Sequence, residues 1–252
     1  MRILYLDIET APNEGKFWGL FKQNIGINQI TKPGYTLCFA AKWSDSKEIT
    51  FSSVYGDGND VMMRKMWALL DHADVVVHYN GKKFDIPKLN KEFVLLRLPP
   101  PSSFKQADLY HTVRSNFSFA SNKLDFVCEQ LGLGNKVRHK GMSLWDGCMD
   151  GNEADWKAME RYNKQDVRLL PRLHRRLLPW IRWPLSYALF DPHPKTCPNC
   201  GKHTLEKLDT PVYPGTVNAY EAYKCKSRYC GANARSRLPI KYVNKPHTIR
   251  IV

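Results

Sequence analysis

Residues 5–10, YLDIET, place two carboxylates, Asp7 and Glu9, at the end of an apolar run formed by Ile3, Leu4, Tyr5 and Leu6. The run reads as a short strand buried on both faces. Side chains two apart on a strand point to the same side. The pattern therefore aims Asp7 and Glu9 into one small volume at the edge of a core. Like charges that close repel, and burial raises the cost. Either a cation lies between them or one of them carries a proton.

Outward from this stretch, YTLCFAAKW (35–43) and EITFSSV (48–54) read as two strands joined by the turn SDSK. With the first strand they begin a sheet of antiparallel neighbours. NDVMMRKMWALLDHA (59–73) reads as a helix capped by Asn59 or Asp60, with Val61, Met62, Met66, Leu69 and Leu70 as its core face. DVVVHYN (74–80) is a continuous apolar run of the kind found in a central parallel strand. DIPKLNKEFVLLR (85–97) is a helix with Pro87 in its first turn. After the rigid break RLPPPSS (97–103), KQADLY (105–110) reads as a short strand and NKLDFVCEQLG (122–132) as a helix closed by Gly132. Residues 134–152 are expected to be irregular, and 152–181 form a long helical pattern in which Pro171 should force a kink or break. Strands alternating with helices imply an α/β fold of three layers. The composition changes near FDPHPKTCPNC (190–200), which divides the chain into a domain over 1–190 and a small module over 191–252.

The chain has 252 residues, enough for one large domain plus a small module. It holds 38 Lys+Arg against 24 Asp+Glu, a net charge of +14 that suits a polyanion, nucleic acid first. The excess is spread along the chain: Arg161, Lys164, Arg168, Arg172, Arg175, Arg176 and Arg182 face one acid, Asp166, in that span. No run of eighteen apolar residues argues for a membrane span, and the opening residues lack a signal-peptide pattern. The expectation is a soluble, cytoplasmic protein.

More acids follow in the pattern begun by Asp7 and Glu9. YNGKKFD (79–85) has Asn80 at the end of the central strand and Asp85 at the start of the next helix. RYNKQDV (161–167) puts Tyr162 and Asp166 four apart, one helical turn, on a shared face. Singly, each piece has a structural alternative: Asp85 as a helix N-cap, Asp166 as the partner of Arg161 or Lys164.

In combination, D-x-E, then N-G-x-x-F-D, then Y-x3-D resembles the three motifs of the DEDD superfamily of 3′–5′ exonucleases, over roughly residues 1–180. The resemblance implies a ribonuclease H-like mixed β-sheet flanked by helices. It implies Asp7, Glu9, Asp85, Tyr162 and Asp166 as catalytic residues, in the tyrosine branch of the family. It also implies two Mg²⁺ or Mn²⁺ ions: Asp7 bridging both, Glu9 and Asp166 on the ion that activates water, Asp85 on the other. Hard divalent ions prefer carboxylate oxygens, and a pair of them relieves the repulsion within DIE. Tyr162 would orient the attacking water; a phenol with a pKa near ~10 is a poor base at neutral pH. The implied activity releases 5′-mononucleotides from 3′ ends of DNA, in replication or repair. The alternatives are an RNA-trimming or structure-specific nuclease on the same site, or a nonenzymatic nucleic-acid binder. Asn80, Lys82, Lys83, Lys123, Lys136, Arg138, His139 and Lys140 are candidates for holding the nucleic acid, with solvated loop charge as the alternative. Phe17, Trp18 and Phe21 could stack on bases or pack in a core.

Of seven cysteines, Cys38, Cys128 and Cys148 are isolated, whereas Cys197-x2-Cys200 and Cys225-x4-Cys230 form two knuckles separated by 24 residues. That spacing fits one structural Zn²⁺. The segment resembles a zinc ribbon over about 195–240, with two strands, HTLEKLD and NAYEAYK, between the knuckles. Lys224, Lys226, Arg228, Arg235 and Arg237 suit either nucleic acid or docking to a replication or repair protein.

Overall fold

The computed structural model describes residues 1–240 except positions 20, 23, 136, 138, 216 and 217, with the side chains of 210–213 left aside. The chain divides into two compact units, Arg2–His174 and Arg175–Val252, the latter grouped with Met1.

The first unit is built on a five-stranded mixed sheet. Its strands are β1 (Ile3–Thr10), β4 (Thr36–Trp43), β5 (Thr50–Ser53), β6 (Val75–His78) and β7 (Lys105–Asp108), in the order β5-β4-β1-β6-β7. β4 is antiparallel to β1 and β5, while β6 is parallel to β1 and β7. A short hairpin of β2 (Glu14–Gly15) and β3 (Ile30–Lys32) follows β1.

Alternation along β1 sorts its side chains between two faces. Leu4, Leu6 and Ile8 join a buried cluster with Phe39, Met62, Met66, Ile86, Leu89 and Phe93, contributed in part by α1 (Asn59–Asp71) and α2 (Asp85–Leu95). On the opposite face Tyr5 bonds His174 of α6 (Glu153–Leu177), its hydroxyl 2.9 Å from Nδ1. A second cluster there joins Leu37 and Cys38 of β4 to Leu144 and Cys148 of α5 (Met142–Met149) and to Trp156, Met159 and Tyr162 of α6. Three layers result, and Asp7 and Glu9 belong to the α6 side by parity with Tyr5.

Several local expectations change. α1 is capped by Gly58, at φ +76, rather than by Asn59 or Asp60. Its core face uses Met63 in place of Val61, which is exposed. KQADLY ends as a strand at Asp108, whose side chain accepts from the N–H groups of Tyr110 and His111 and so starts α3 (Leu109–Asn116). α4 (Leu124–Gln130) ends as expected near Gly132, at φ +64. Residues 134–152 are not wholly irregular, since they contain α5. Pro171 does not end α6, which runs 25 residues.

In the second unit, β8 (Leu205–Pro214), β9 (Ala219–Cys225) and β10 (Asn233–Pro239) form an antiparallel sheet in the order β10-β9-β8. The expected two strands are present, and a third follows the last knuckle.

Candidate active site

β1 and α6 together build the acidic site. Asp7, Glu9 and Asp166 each offer a carboxylate oxygen within 4.8 Å of the others. α6 turns Met159, Tyr162, Asn163, Asp166, Val167 and Leu170 inward, all buried, at helical spacing. Asp166 thus reaches the sheet because its turn of helix is anchored by apolar neighbours. At an effective dielectric near 20, two unit charges at such a separation repel by about 3 kcal/mol. A cation in the middle removes that cost, and all-oxygen donors suit a hard divalent ion.

Asp85 stands apart from this group. The β1–β6 ladder ends at Tyr5↔Val77, and beyond it Asp85 Oδ1 accepts the Ile8 N–H at 3.1 Å. The carboxyl takes over where the neighbouring strand stops. It is buried, and burial pushes its pKa up to about 7, against the opposing effect of the Ile8 bond.

The loop from β6 to Asp85 explains the N-G pair. Asn80 has φ +68, a left-handed conformation that Asn tolerates better than most residues. A Cβ at Gly81 would lie 2.5 Å from the His78 ring, so only glycine fits. Gly81 N–H donates to His78 Nδ1 at 3.1 Å, leaving Nε2–H to donate to Gln106 Oε1 at 3.0 Å. Both bonds are met by neutral imidazole, and burial lowers the His78 pKa. Asp108 Oδ2 lies 3.6 Å from His78 Nδ1, but Gly81 occupies that nitrogen, so we read the pair as a near contact rather than an ion pair. Asp108 also accepts the N–H groups of Asn80 at 2.9 Å and Lys82 at 3.3 Å.

A cleft of about 950 Å³ opens over the site, lined by Asp7, Asp166, Tyr162, Asn80, Lys123 and His139 among others. Tyr162 packs edge-on against His139, ring centroids 4.8 Å apart, and against Trp145 at 6.0 Å. The other expected nucleic-acid contacts distribute differently. Lys82 and Lys83 are exposed and are not among the cleft-lining residues. Lys140 Nζ pairs with Asp155 Oδ1 at 2.8 Å. Lys136 and Arg138 lie outside the described residues. Phe17, Trp18 and Phe21 are exposed rather than packed in a core.

Two residues escaped the sequence reading. Asp108 organises the loop leading to Asp85, and its signal was an Asp directly before a helical pattern. Asn163, between Tyr162 and Asp166, donates from Nδ2 to Asp7 Oδ2 at 2.7 Å. Adjacency to a motif hints at it, but only the packing of α6 on β1 shows the partner.

The cysteine cluster is a second, independent site. Cys197, Cys200, Cys225 and Cys230 lie within 4.8 Å of one another. The Cys197–Cys230 and Cys200–Cys225 sulfur pairs are 3.9 and 3.8 Å apart. A disulfide needs ~2.05 Å. A tetrahedron with Zn–S bonds of about 2.3 Å has edges near 3.8 Å, which matches. Gly201 at φ +73 and Gly231 at φ +56 turn the chain just after each knuckle. Thr204 Oγ1 lies 3.1 Å from Cys225 Sγ, and Asn199 Nδ2 donates to the Leu178 carbonyl at 2.8 Å and to Cys230 Sγ at 3.5 Å. Such outer bonds orient thiolate ligands.

Among the described residues no helix is long and apolar enough to cross a membrane. No curated protein matches the sequence significantly. Among solved structures, the family B DNA polymerase from the hyperthermophilic archaeon Pyrobaculum calidifontis is similar, with a TM-score of 0.54 and 22% identity. The similarity covers 71% of this chain but 24% of that one, and at this identity it speaks to the fold alone. The family model for the RNase_H superfamily matches residues 24–178, a span running from before β3 through α6 and thus through the framework that carries Asp85 and Asp166; the chain belongs to the RNase_H superfamily.

Proposed function

We propose that the chain is a metal-dependent nuclease that removes nucleotides one at a time from the 3′ end of DNA. The observation that carries this reading is the gathering of Asp7, Glu9 and Asp166 within 4.8 Å, with Asp7, Asp166 and Tyr162 all lining one cleft. Membership of the RNase_H superfamily supports nuclease chemistry, and the choice of DNA, like the order of the acids, rests on the likeness of the motifs to the exonuclease pattern. The 3′ polarity rests on the likeness of the three motifs to the exonuclease pattern.

The reaction adds water to phosphorus and breaks the bond to the 3′ oxygen of the preceding nucleotide. It yields a 5′-mononucleotide and a new 3′ hydroxyl. Asp7, Glu9 and Asp166 would hold divalent ions, and by likeness to the exonuclease pattern Asp85 would hold the second one. Such ions, when bound, supply an activated water and neutralise charge on the leaving oxygen. Tyr162 orients the water through its hydroxyl. Lys123 and His139, on the wall of the cleft, meet backbone phosphates.

We further assign residues 191–252 as a zinc-ribbon module, distinct from a nuclease domain over 1–190. Four thiolates fill a tetrahedron and leave no open position, so this ion would be structural. The module's cations would add affinity for nucleic acid, or for a replication or repair protein.

The test compares end-labelled single- and double-stranded DNA and RNA with Mg²⁺, Mn²⁺ or EDTA. The reading expects metal-dependent release of 5′-mononucleotides from DNA 3′ ends. Preferred cleavage of RNA would move the substrate, and full activity in EDTA would remove the mechanism.

A further inference from the structure

We infer that Asn163 is a positioning residue that fixes the carboxylate of Asp7, and that Cys38 in turn holds the Asn163 amide. The inference deepens the nuclease reading and rests on it for its consequence in catalysis.

Asn163 is fully buried in the middle of α6. Asparagine is a poor helix former there, and a buried amide is costly unless its hydrogen bonds are made. Its position is therefore not explained by helix propensity or by apolar packing. The amide nitrogen lies 2.7 Å from Asp7 Oδ2 and 3.3 Å from the Asp7 backbone carbonyl. Both of those atoms are acceptors for an ionised Asp7, so the NH₂ group must face them. The amide oxygen then faces Cys38 Sγ at 3.9 Å, a weak thiol donor on β4. Chemistry on the two sides fixes the same orientation of the amide. The chain Cys38–Asn163–Asp7 links β4, α6 and β1.

A neutral donor is well suited to this task. A lysine or arginine at this place would fix Asp7 equally well, but its charge would compete with a cation. The amide selects one carboxylate orientation and leaves the full negative charge available. Partners of this kind, behind metal-binding side chains, are worth about 10- to 100-fold in metal affinity or activity.

The experiment titrates Mn²⁺ calorimetrically into the full, zinc-loaded chain, in the wild type and in Asn163→Ala, Asn163→Leu, Cys38→Val and Cys38→Ser. Thermal melting checks each fold, and oligonucleotide hydrolysis is followed against Mg²⁺ concentration. Asn163→Ala and the similarly sized Asn163→Leu should weaken Mn²⁺ binding by about 10- to 100-fold. The Mg²⁺ needed for half-maximal rate should rise by a similar factor, with KM for the oligonucleotide unchanged. Cys38→Val should weaken Mn²⁺ binding a few-fold, and Cys38→Ser, which keeps a donor, should restore it. Wild-type Mn²⁺ affinity in a folded Asn163 variant would overturn the proposal. If neither Asn163 variant folds, wild-type affinity in Cys38→Val would overturn it instead. A wild type that binds Mn²⁺ but cleaves neither DNA nor RNA would sink the nuclease reading alone, because the titration still tests Asn163.

Discussion

The acidic cluster and the cysteine cluster bring ligands to within the same 4.8 Å by opposite means. The acids sit on β1 and α6, elements held by two large apolar clusters on either face of a five-stranded sheet. Cys225 ends β9 and the other three cysteines lie in or beside turns next to a three-stranded sheet, whose buried cluster is Cys197, Cys225 and Cys230 themselves, with Leu178, Leu205 and Ala232 around them. In the first unit the fold assembles the ligands despite their repulsion. In the second the cysteines are themselves the buried cluster, and an ion bound to them would complete it. On the zinc-ribbon reading, one site is made by folding and the other makes folding possible.

The largest expected effect breaks the second half of this contrast. Stripping zinc with a chelator and a thiol reagent should unfold β8–β10, since structural zinc sites are worth roughly 10–16 kcal/mol of folding energy. The melting of Arg2–His174 should be unchanged. Hydrogen exchange resolved by segment reads both; a protected β8–β10 sheet without metal would end the comparison.

Removing an acid should do the reverse. Asp7→Ala or Asp166→Ala should lower cleavage at least about 10³-fold, about 4 kcal/mol of transition-state stabilisation, with circular dichroism unchanged. Unfolding in either variant would show that the acids, like the cysteines, support the fold.

Asp85 sharpens the contrast, because it sits between the two behaviours. Its carboxyl pKa is raised from 3.8 to about 7 in the folded state. The neutral form is thus favoured by folding. Metal-free protein should be most stable below pH ~4 with respect to this group and lose stability as pH rises toward 7. Asp85→Asn should remove that loss, by up to about 4 kcal/mol at pH 8. Denaturant melts in EDTA at pH 5 and pH 8 measure it; a variant no more stable than wild type at pH 8 would show Asp85 ionised without penalty.

The smallest effect concerns the cleft wall. Lys123→Ala should weaken oligonucleotide binding a few-fold and reduce the salt slope by about one counterion. An unchanged slope would assign Lys123 to solvent.

Much of the first unit was legible because two periodicities carried it. A spacing of two placed Asp7 with Glu9, and a spacing of four placed Tyr162 with Asp166, without any knowledge of tertiary contacts. The apolar run at 74–80 likewise identified a central strand. What stayed hidden depends on neighbours remote in sequence. α5 is short and contains Gly147, which looks like a break. In the structure a Cβ at Gly147 would collide with the Asp155 carboxylate, so the glycine permits α5 to approach α6. Pro171 was expected to force a kink or break, yet Leu169, Leu170, Leu173 and Leu177, all buried around it, carry the helix past it. Tertiary packing overrides local propensity at both places. Asp85 was legible as an acid at the start of a helix, but its bond to Ile8 required knowing where β6 stops.

β1 occupies the middle of its sheet, bonded to β4 on one edge and to β6 on the other. An edge strand can peel away while the rest of a domain stays intact, whereas a strand laced on both sides can leave only with its neighbours. Asp7 and Glu9 lie just past the end of the β6 ladder, paired to β4 on one side and tied on the other by the Asp85 carboxyl on the Ile8 N–H, so they extend directly from the doubly laced segment. The distance between them and α6 should survive fluctuations that open every loop around the cleft, and it should be lost only when the whole unit melts.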